Sequence, residues 1–188
     1  VRMMLRRRPA TEVVRGPLTS LVLLLREPRE VATDMSLTDR VEKAWGVRMA
    51  AESAIPTADF CRVDPGPAGA IGYIQRHGIR LAVLAPPGKY VRDLEEQAQL
   101  IANPRIRGMF LEHAAWLAID MFAAPVGVEK TRVYQIIGSL LATYVDSATL
   151  LLYAPEYQRA LPPTRDVLAK LSGENPLATL FQQPPELK

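Results

Sequence analysis

The chain predicts an α+β fold in which two similar β-α-β-α halves, each related to a ferredoxin-like unit, form one sheet-and-helix sandwich. Three observations carry this expectation. Apolar stretches of strand length recur and stop at prolines: Ser20–Leu25 before Pro28, Ile79–Ala85 before Pro86, Trp116–Phe122 before Pro125, and Leu150–Tyr153 before Pro155. Between them lie segments whose apolar residues recur three and four apart, the period of a helix with one buried face. The order strand, helix, strand, helix can be traced twice, and Ala-Pro follows the second strand both times, at Ala85-Pro86 and Ala154-Pro155. Strands and helices that alternate over short connections bury their apolar faces by layering.

At 188 residues the chain suits one domain. We place a flexible basic arm at residues 1–18, a single α+β domain at 19–173 with halves of about 19–113 and 114–173, and an irregular tail at 174–188. The apolar content of 48% and charged content of 23% are those of a globular protein, not a disordered one. With aromatics at 6%, the core must rest on Leu, Val, Ile and Ala. The 16 prolines fall mainly at element boundaries, where they punctuate a compact fold.

Taken in order, Ser20–Leu25 is a continuous apolar run, the mark of a strand covered on both faces. A helix should follow, starting at Val31 or Ser36 and running to Trp45. Leu37, Val41, Ala44 and Trp45 share one side, Ser36 with Asp39 resembles a capping box, and Gly46 suits the C-terminal stop. Residues 47–78 are the least regular, with short strands at Phe60–Val63 and Ile71–Ile74 separated by a turn at Asp64-Pro65-Gly66-Pro67. After the strand Ile79–Ala85 comes a helix over about Val91–Ala102, with Asp93, Glu95 and Glu96 at its positive end. Asn103-Pro104 is a good helix opening and predicts a short helix towards His113. In the second half, Glu129–Tyr144 carries a wide apolar stripe (Val133, Ile136, Ile137, Leu140, Leu141), so it should lie deeply against a sheet. Thr164 can cap a last helix through Leu171, ended by Gly173.

Composition removes several functions. Cys61 is the single cysteine, so no intrachain disulfide and no cysteine-based zinc site can form. Only two histidines, His77 and His113, are present, far from any metal-ligand spacing, and neither a metal nor a cofactor is expected. Gly66, Gly69 and Gly72 match neither a phosphate-binding loop nor a dinucleotide fingerprint and suggest loop flexibility. No nucleophile elbow occurs. No apolar run approaches the roughly 20 residues of a membrane span, and Arg26-Glu27 directly after Leu25 leaves that segment too short for an export signal. A cytoplasmic protein is therefore expected.

Two constellations stand out as candidates. Asp120 interrupts an apolar strand, which is costly unless the carboxylate is exposed or paired; with Arg132 or Lys130 it could form a site, and Lys89 before a helix could hold an anion. Asp120, Lys89 and Arg132 are thus the ligand-binding candidates, with outward-facing Asp120 as the plainer alternative. The net charge of +3 comes largely from Arg2, Arg6, Arg7, Arg8 and Arg15. Arg6, Arg7 and Arg8 are the nucleic-acid candidates, but no aromatic residue interleaves with them to stack on bases, so nucleic-acid association is not the favoured expectation.

The segments Ser20-Leu21-Val22-Leu23-Leu24-Leu25-Arg26-Glu27-Pro28 and His113-Ala114-Ala115-Trp116-Leu117-Ala118-Ile119 resemble a bacterial family catalogued only as a domain of unknown function, over residues 20–171. The resemblance implies a bacterial cytoplasmic α+β protein and supplies no catalytic residues. With no catalytic spacing in view, the sequence leans away from an enzyme. It favours a non-enzymatic module that binds a protein partner or a second copy through a sheet face, an edge strand or residues 47–78. A pocket between the halves is the alternative.

Overall fold

The computed structural model describes residues 19–29, 33–52, 55, 57–67 and 69–182. In chain order the elements are β1 (Ser20–Leu25), α1 (Asp34–Trp45), β2 (Phe60–Gly66), β3 (Gly69–Arg76), β4 (Ile79–Leu84), α2 (Leu94–Gln99), α3 (Pro104–Glu112), β5 (Ala115–Ala123), α4 (Lys130–Ala142), β6 (Thr149–Ala154), β7 (Arg159–Leu161) and α5 (Arg165–Leu171). A 3-10 turn, Pro155–Tyr157, joins β6 to β7, and a π turn, Leu177–Phe181, follows α5. The protein is α+β, with one antiparallel sheet in the order β2-β3-β4-β5-β1-β6-β7.

That order interleaves the two halves expected from the sequence. The first strands of the halves, β1 and β5, lie side by side at the centre, and each is flanked by a strand of the other half (β6 beside β1, β4 beside β5). Both β1 and β6 are buried along their whole length, as continuous apolar runs require when helices cover both faces.

The larger core lies on one face. Leu21, Leu23 and Leu25 of β1, Leu117 and Ile119 of β5, and Leu81 and Val83 of β4 meet α1, α4, α5 and the π turn there. Two glycines permit the close approach. A Cβ on Gly72 would stand 3.1 Å from Leu37, so its absence lets α1 sit on β3. A Cβ on Gly138 would stand 2.5 Å from the Leu171 carbonyl, so α4 and α5 touch backbone to backbone. The C-terminal end of α4 is held by two arginines: Arg29 donates to the Tyr144 carbonyl at 2.5 Å and Arg40 to that of Thr143. Cations there offset the negative end of the helix.

Several local expectations change. The Ser36–Asp39 capping box does not form, because α1 starts earlier; Thr33 is its N-cap, and the Ser36 hydroxyl donates to the Thr33 carbonyl at 3.3 Å. The predicted turn at 64–66 is strand. β2 runs through Pro65 to Gly66, which faces Gly69 across the hairpin, and Pro is tolerated on an edge strand where no ladder donor is needed. The glycines at 66, 69 and 72 thus belong to a regular hairpin within the region expected to be irregular. The tail is ordered to residue 182: Leu177, Leu180 and Phe181 are buried, with Phe181 against the rings of Tyr134 and Tyr157. Their spacing of three and four is a helical signal that the short segment length obscured. Residues 183–188 and the arm at 1–18 lie outside the described residues.

Candidate functional site: an open half of the sheet

The second face of the sheet is only partly covered. α2 and α3 bring Ala98 and Phe110 onto Val22, Leu24, Leu151 and Tyr153, closing a smaller core over β1 and β6. The cover ends at Tyr90, whose ring meets Trp116 at 5.1 Å and Tyr153 at 5.9 Å. Past that wall, outward positions of β2, β3, β4 and the end of β5 form a groove of about 380 Å³, lined by Phe60, Arg62, Tyr73, Gln75, Arg80 and Phe122.

Strand register explains why these residues converge. Phe60, Gln75 and Arg80 lie in one line across β2, β3 and β4. Arg62, Tyr73, Ala82, Asp120 and Ser20 form the next line, across β2 to β1. The β4–β5 register shifts between Arg80 and Leu81, which makes Phe122 the extra residue of a bulge, and its ring contact puts it on the Tyr73 side of the sheet. Phe122 is 54% exposed and meets Tyr73 edge to face, with centroids 6.2 Å apart.

The polar groups are fixed in place. Gln75 donates to the Ala58 carbonyl at 2.8 Å and accepts from Arg80 Nε at 3.0 Å. Arg80 has no carboxylate partner among the described residues. Arg62 stands over the Phe60 ring, 5.7 Å from its centre, and pairs with Asp64 at 3.0 Å. Asp120 accepts from the Ser20 hydroxyl at 2.5 Å. Burial pushes its carboxyl above the usual range, and the serine bond opposes that shift. Burial first, and then the charge of Asp120, push the Tyr90 hydroxyl up to about 12.

Both edges of the sheet are closed to an added strand. Of the outward amides of β2, Cys61 donates to the Ala50 carbonyl at 3.0 Å and Val63 to the Asp34 carboxylate at 2.5 Å. Residue 65, the next in that alternation, is proline and has no amide hydrogen. The other edge, β7, is three residues long and runs into Pro162-Pro163. Short strands, prolines and occupied donors all blunt an edge.

The ligand candidates proposed from the sequence are not brought together. Asp120 lies in the second line of the open face. Lys89 donates to the carbonyls of Leu111, at 2.7 Å, and His113, so its charge is spent on the C-terminal end of α3. Arg132 is exposed on α4, which packs on the opposite face, and donates to Gln135 at 2.7 Å. Lys130 pairs with Glu156, which also accepts from Tyr134 at 2.9 Å. Arg6, Arg7 and Arg8 lie outside the described residues. His113 is fully buried, with Nε2 accepting from the Tyr90 amide at 2.9 Å and Nδ1 against the Phe110 carbonyl. An amide only donates and a carbonyl only accepts, so the ring is held neutral with its proton on Nδ1 and has no free position for acid–base work. Among the described residues no group of three or more His, Cys, Asp or Glu could hold a metal ion, and no helix is long and apolar enough to cross a membrane.

Sequence reasoning passed over Phe60, Tyr73, Arg80 and Phe122. A partial signal was present: Tyr73 stands between the buried Gly72 and Ile74, and Arg80 between the buried Ile79 and Leu81, whereas Phe122 sits at a bulge that no alternation announces. No protein-family model, curated protein or solved structure matches the chain. The family resemblance therefore brings no site residues, and the geometry alone carries the functional reading.

Proposed function

We propose that the chain is a non-enzymatic binding module that holds its partner on the open half of the sheet, over β2 to β5. The observation that supports it most is the groove in which exposed Phe122 and half-buried Tyr73 and Phe60 stand beside Arg62 and Arg80, with Gln75 fixed between them. Exposed aromatics beside arginines are the usual anchors of recognition surfaces. Of the three surfaces that the sequence suggested, the edges are disfavoured because their donors are occupied or missing, and the hairpin within 47–78 contributes through the face it shares with β4. A catalytic reading finds little support: the charged groups on this face are Asp120, held by a serine, Asp64, paired with Arg62, and Arg80, without a nucleophile–base pair.

The scaffold reads most simply as one ferredoxin-like unit instead of two. Taken alone, β1-α1-β4-β5-α4-β6 is a split β-α-β pair in the sheet order β4-β5-β1-β6, with α1 and α4 on one face. The β2–β3 hairpin and the α2–α3 pair are then insertions, and the hairpin supplies much of the groove's lining.

A photo-crosslinking phenylalanine analogue placed at position 122, in cells, tests this reading. Position 122 should give a discrete adduct, while the same residue at position 132, on the opposite side of the sheet, should not. Equal or absent adducts at both positions would remove the binding face.

A further inference from the structure

We infer that the ligand of this face is a second copy of the chain, held face to face about a two-fold axis that runs along the line from Tyr73 to Phe122. The second copy occupies the face proposed above, and its assignment rests on that reading. The open half carries Arg62, Asp64, Arg80 and Asp120. Arg62 and Asp64 satisfy each other at 3.0 Å. Among the described residues, that leaves Arg80, exposed on β4 with no carboxylate partner, and Asp120, half-buried on β5 with a serine but no cation. Within one chain they do not meet, because Arg80 leans to Gln75 on β3 and Asp120 to Ser20 on β1. The face lacks one carboxylate and one cation, and a second copy brings both. A strongly charged partner would satisfy one of the two and repel the other.

Position turns this balance into self-complementarity. Asp120 pairs with Ala82, two residues beyond Arg80, so the two Cα atoms are one strand and one line apart, about 8 Å at ordinary sheet spacings. Tyr73 lies in the line of Asp120, two strands away, and Phe122 sits at the bulge beside Arg80 and Leu81. The line from Tyr73 to Phe122 therefore crosses that from Arg80 to Asp120 near its midpoint and close to a right angle. Rotation about an axis along the first line exchanges the ends of the second. Each Arg80 then faces the partner's Asp120, and both contacts form together, as an isologous interface requires. Facing sheets pack about 10 Å apart, a gap that an arginine side chain can bridge. Phe122 and Tyr73, already edge to face at 6.2 Å, lie on the axis and meet their own counterparts at the centre, where aromatic anchors concentrate. Shape agrees with charge. The α2–α3 cover stands over Val22, Leu24 and Tyr153, on the Asp120 side of the axis. Rotation carries each cover to the low side of the other copy, so the two do not collide. With both sheet edges closed, pairing through the face stops at two.

Sedimentation equilibrium of the full chain over a range of concentrations is the test. Each copy keeps its own closed core, so dilution should give folded monomer. Rising concentration should bring the mass to twice 20.8 kDa and no further. Arg80→Glu and Asp120→Lys, each alone, set two like-charge contacts across the axis and should raise the dimer Kd more than about 100-fold. Mixed in equal amounts, the two variant chains should dimerise almost as well as the unaltered chain. The new carboxylate of one then faces the new ammonium of the other, and the remaining Asp120 and Arg80 still face each other. Phe122→Ala, at an exposed position, should raise Kd at least about 30-fold, the loss at a central anchor. That variant decides the matter if Asp120→Lys fails to fold. A mass that stays at 20.8 kDa into the millimolar range, association that continues past the dimer, or a dimer that ignores both Arg80→Glu and Phe122→Ala would each overturn the inference. So would folded charge variants that pair no better mixed than alone. A crosslinker at position 122 should join chain to chain. If it captures only a different protein and the chain stays monomeric, the second copy fails and the binding face survives. If position 122 captures nothing, both fail.

Discussion

The two faces of the sheet are built from the same strands and do opposite things. On one, Leu21, Leu23, Leu25, Leu117 and Ile119 disappear under α1, α4, α5 and the π turn. On the other, cover stops at Tyr90 and Trp116, and the next residues outward, Asp120 and Phe122, meet solvent or a serine. β5 shows the contrast in a single strand: Ile119 is fully buried and Phe122, three residues on, is more than half exposed. Adding a helix over β2 to β4 would have closed this face and stabilised the fold. Leaving it open, with aromatics and arginines in register, is the arrangement expected of a surface kept for a ligand. Substitutions on the two faces should therefore separate stability from binding.

The largest loss is expected on the closed face. Leu23 sits at the centre of β1 with no exposure, flanked by β5 and β6. Leu23→Ala should cost about 2–5 kcal/mol through lost burial and the cavity left behind. For a chain of this size that is a fall in Tm of roughly 4–20 °C, measurable by calorimetry. A loss below about 1 kcal/mol would show that this face is looser than its burial implies.

A smaller effect is expected where the same face closes by backbone packing. Gly138→Ala adds one methyl group at a point 2.5 Å from the Leu171 carbonyl, so α4 and α5 must part. Overpacking of this kind costs about 1–3 kcal/mol. Because the obstruction is the Leu171 backbone, Leu171→Ala should not relieve it, while loosening the α5 connection should. Chemical denaturation of the single and double variants distinguishes the two cases.

The boundary between the covered and open halves should respond to pH through His113. Burial lowers its affinity for a proton, and the Tyr90 amide occupies the nitrogen that would accept one. In the unfolded chain His113 titrates near its ordinary value of about 6.5. A histidine whose folded pKa is lowered contributes its full stability above the unfolded value and loses it as pH falls towards the folded one. Stability should thus be flat above neutrality and decline below about 6.5, and His113→Gln should remove that decline at the cost of a lower plateau. Denaturation midpoints collected from pH 5 to 8 would show it. A decline unchanged in the variant would assign the slope to another group.

Most of the architecture was legible in the sequence because it follows from local rules. A continuous apolar run marked β1 as doubly covered, Leu150–Tyr153 before Pro155 marked β6 as a strand, Asn103-Pro104 announced α3 and Thr164 capped α5. What was not legible depends on register and tertiary order. Nothing local states that β5 will insert between β4 and β1, and that insertion sends Lys89, Asp120 and Arg132 to three different places. His113 stands beside Glu112 at a strand end, where no pattern announces a buried cross-link, since its partners, the Tyr90 amide and the Phe110 carbonyl, are backbone groups. Asp120 breaks an apolar pattern and is visible for that reason, but only as a single anomaly. Its neighbours on the open face are contributed by β3 and β4, and only pairing reveals them.

Phe122 gives the smallest stability change and the sharpest comparison. Its ring is more than half exposed, and the ring neighbour given by the geometry is Tyr73, edge to face. Phe122→Ala should leave stability within about 0.5 kcal/mol, as for a surface position removed from packing, and Tm within about 2 °C. A large loss would mean that Phe122 belongs to the core and that the open half is closed by packing. A negligible loss leaves a bulky aromatic in water that the fold does not need. Keeping such a ring exposed invites non-specific association, so an unaltered Tm, set beside a discrete adduct captured at position 122, would make the ring's role one of recognition.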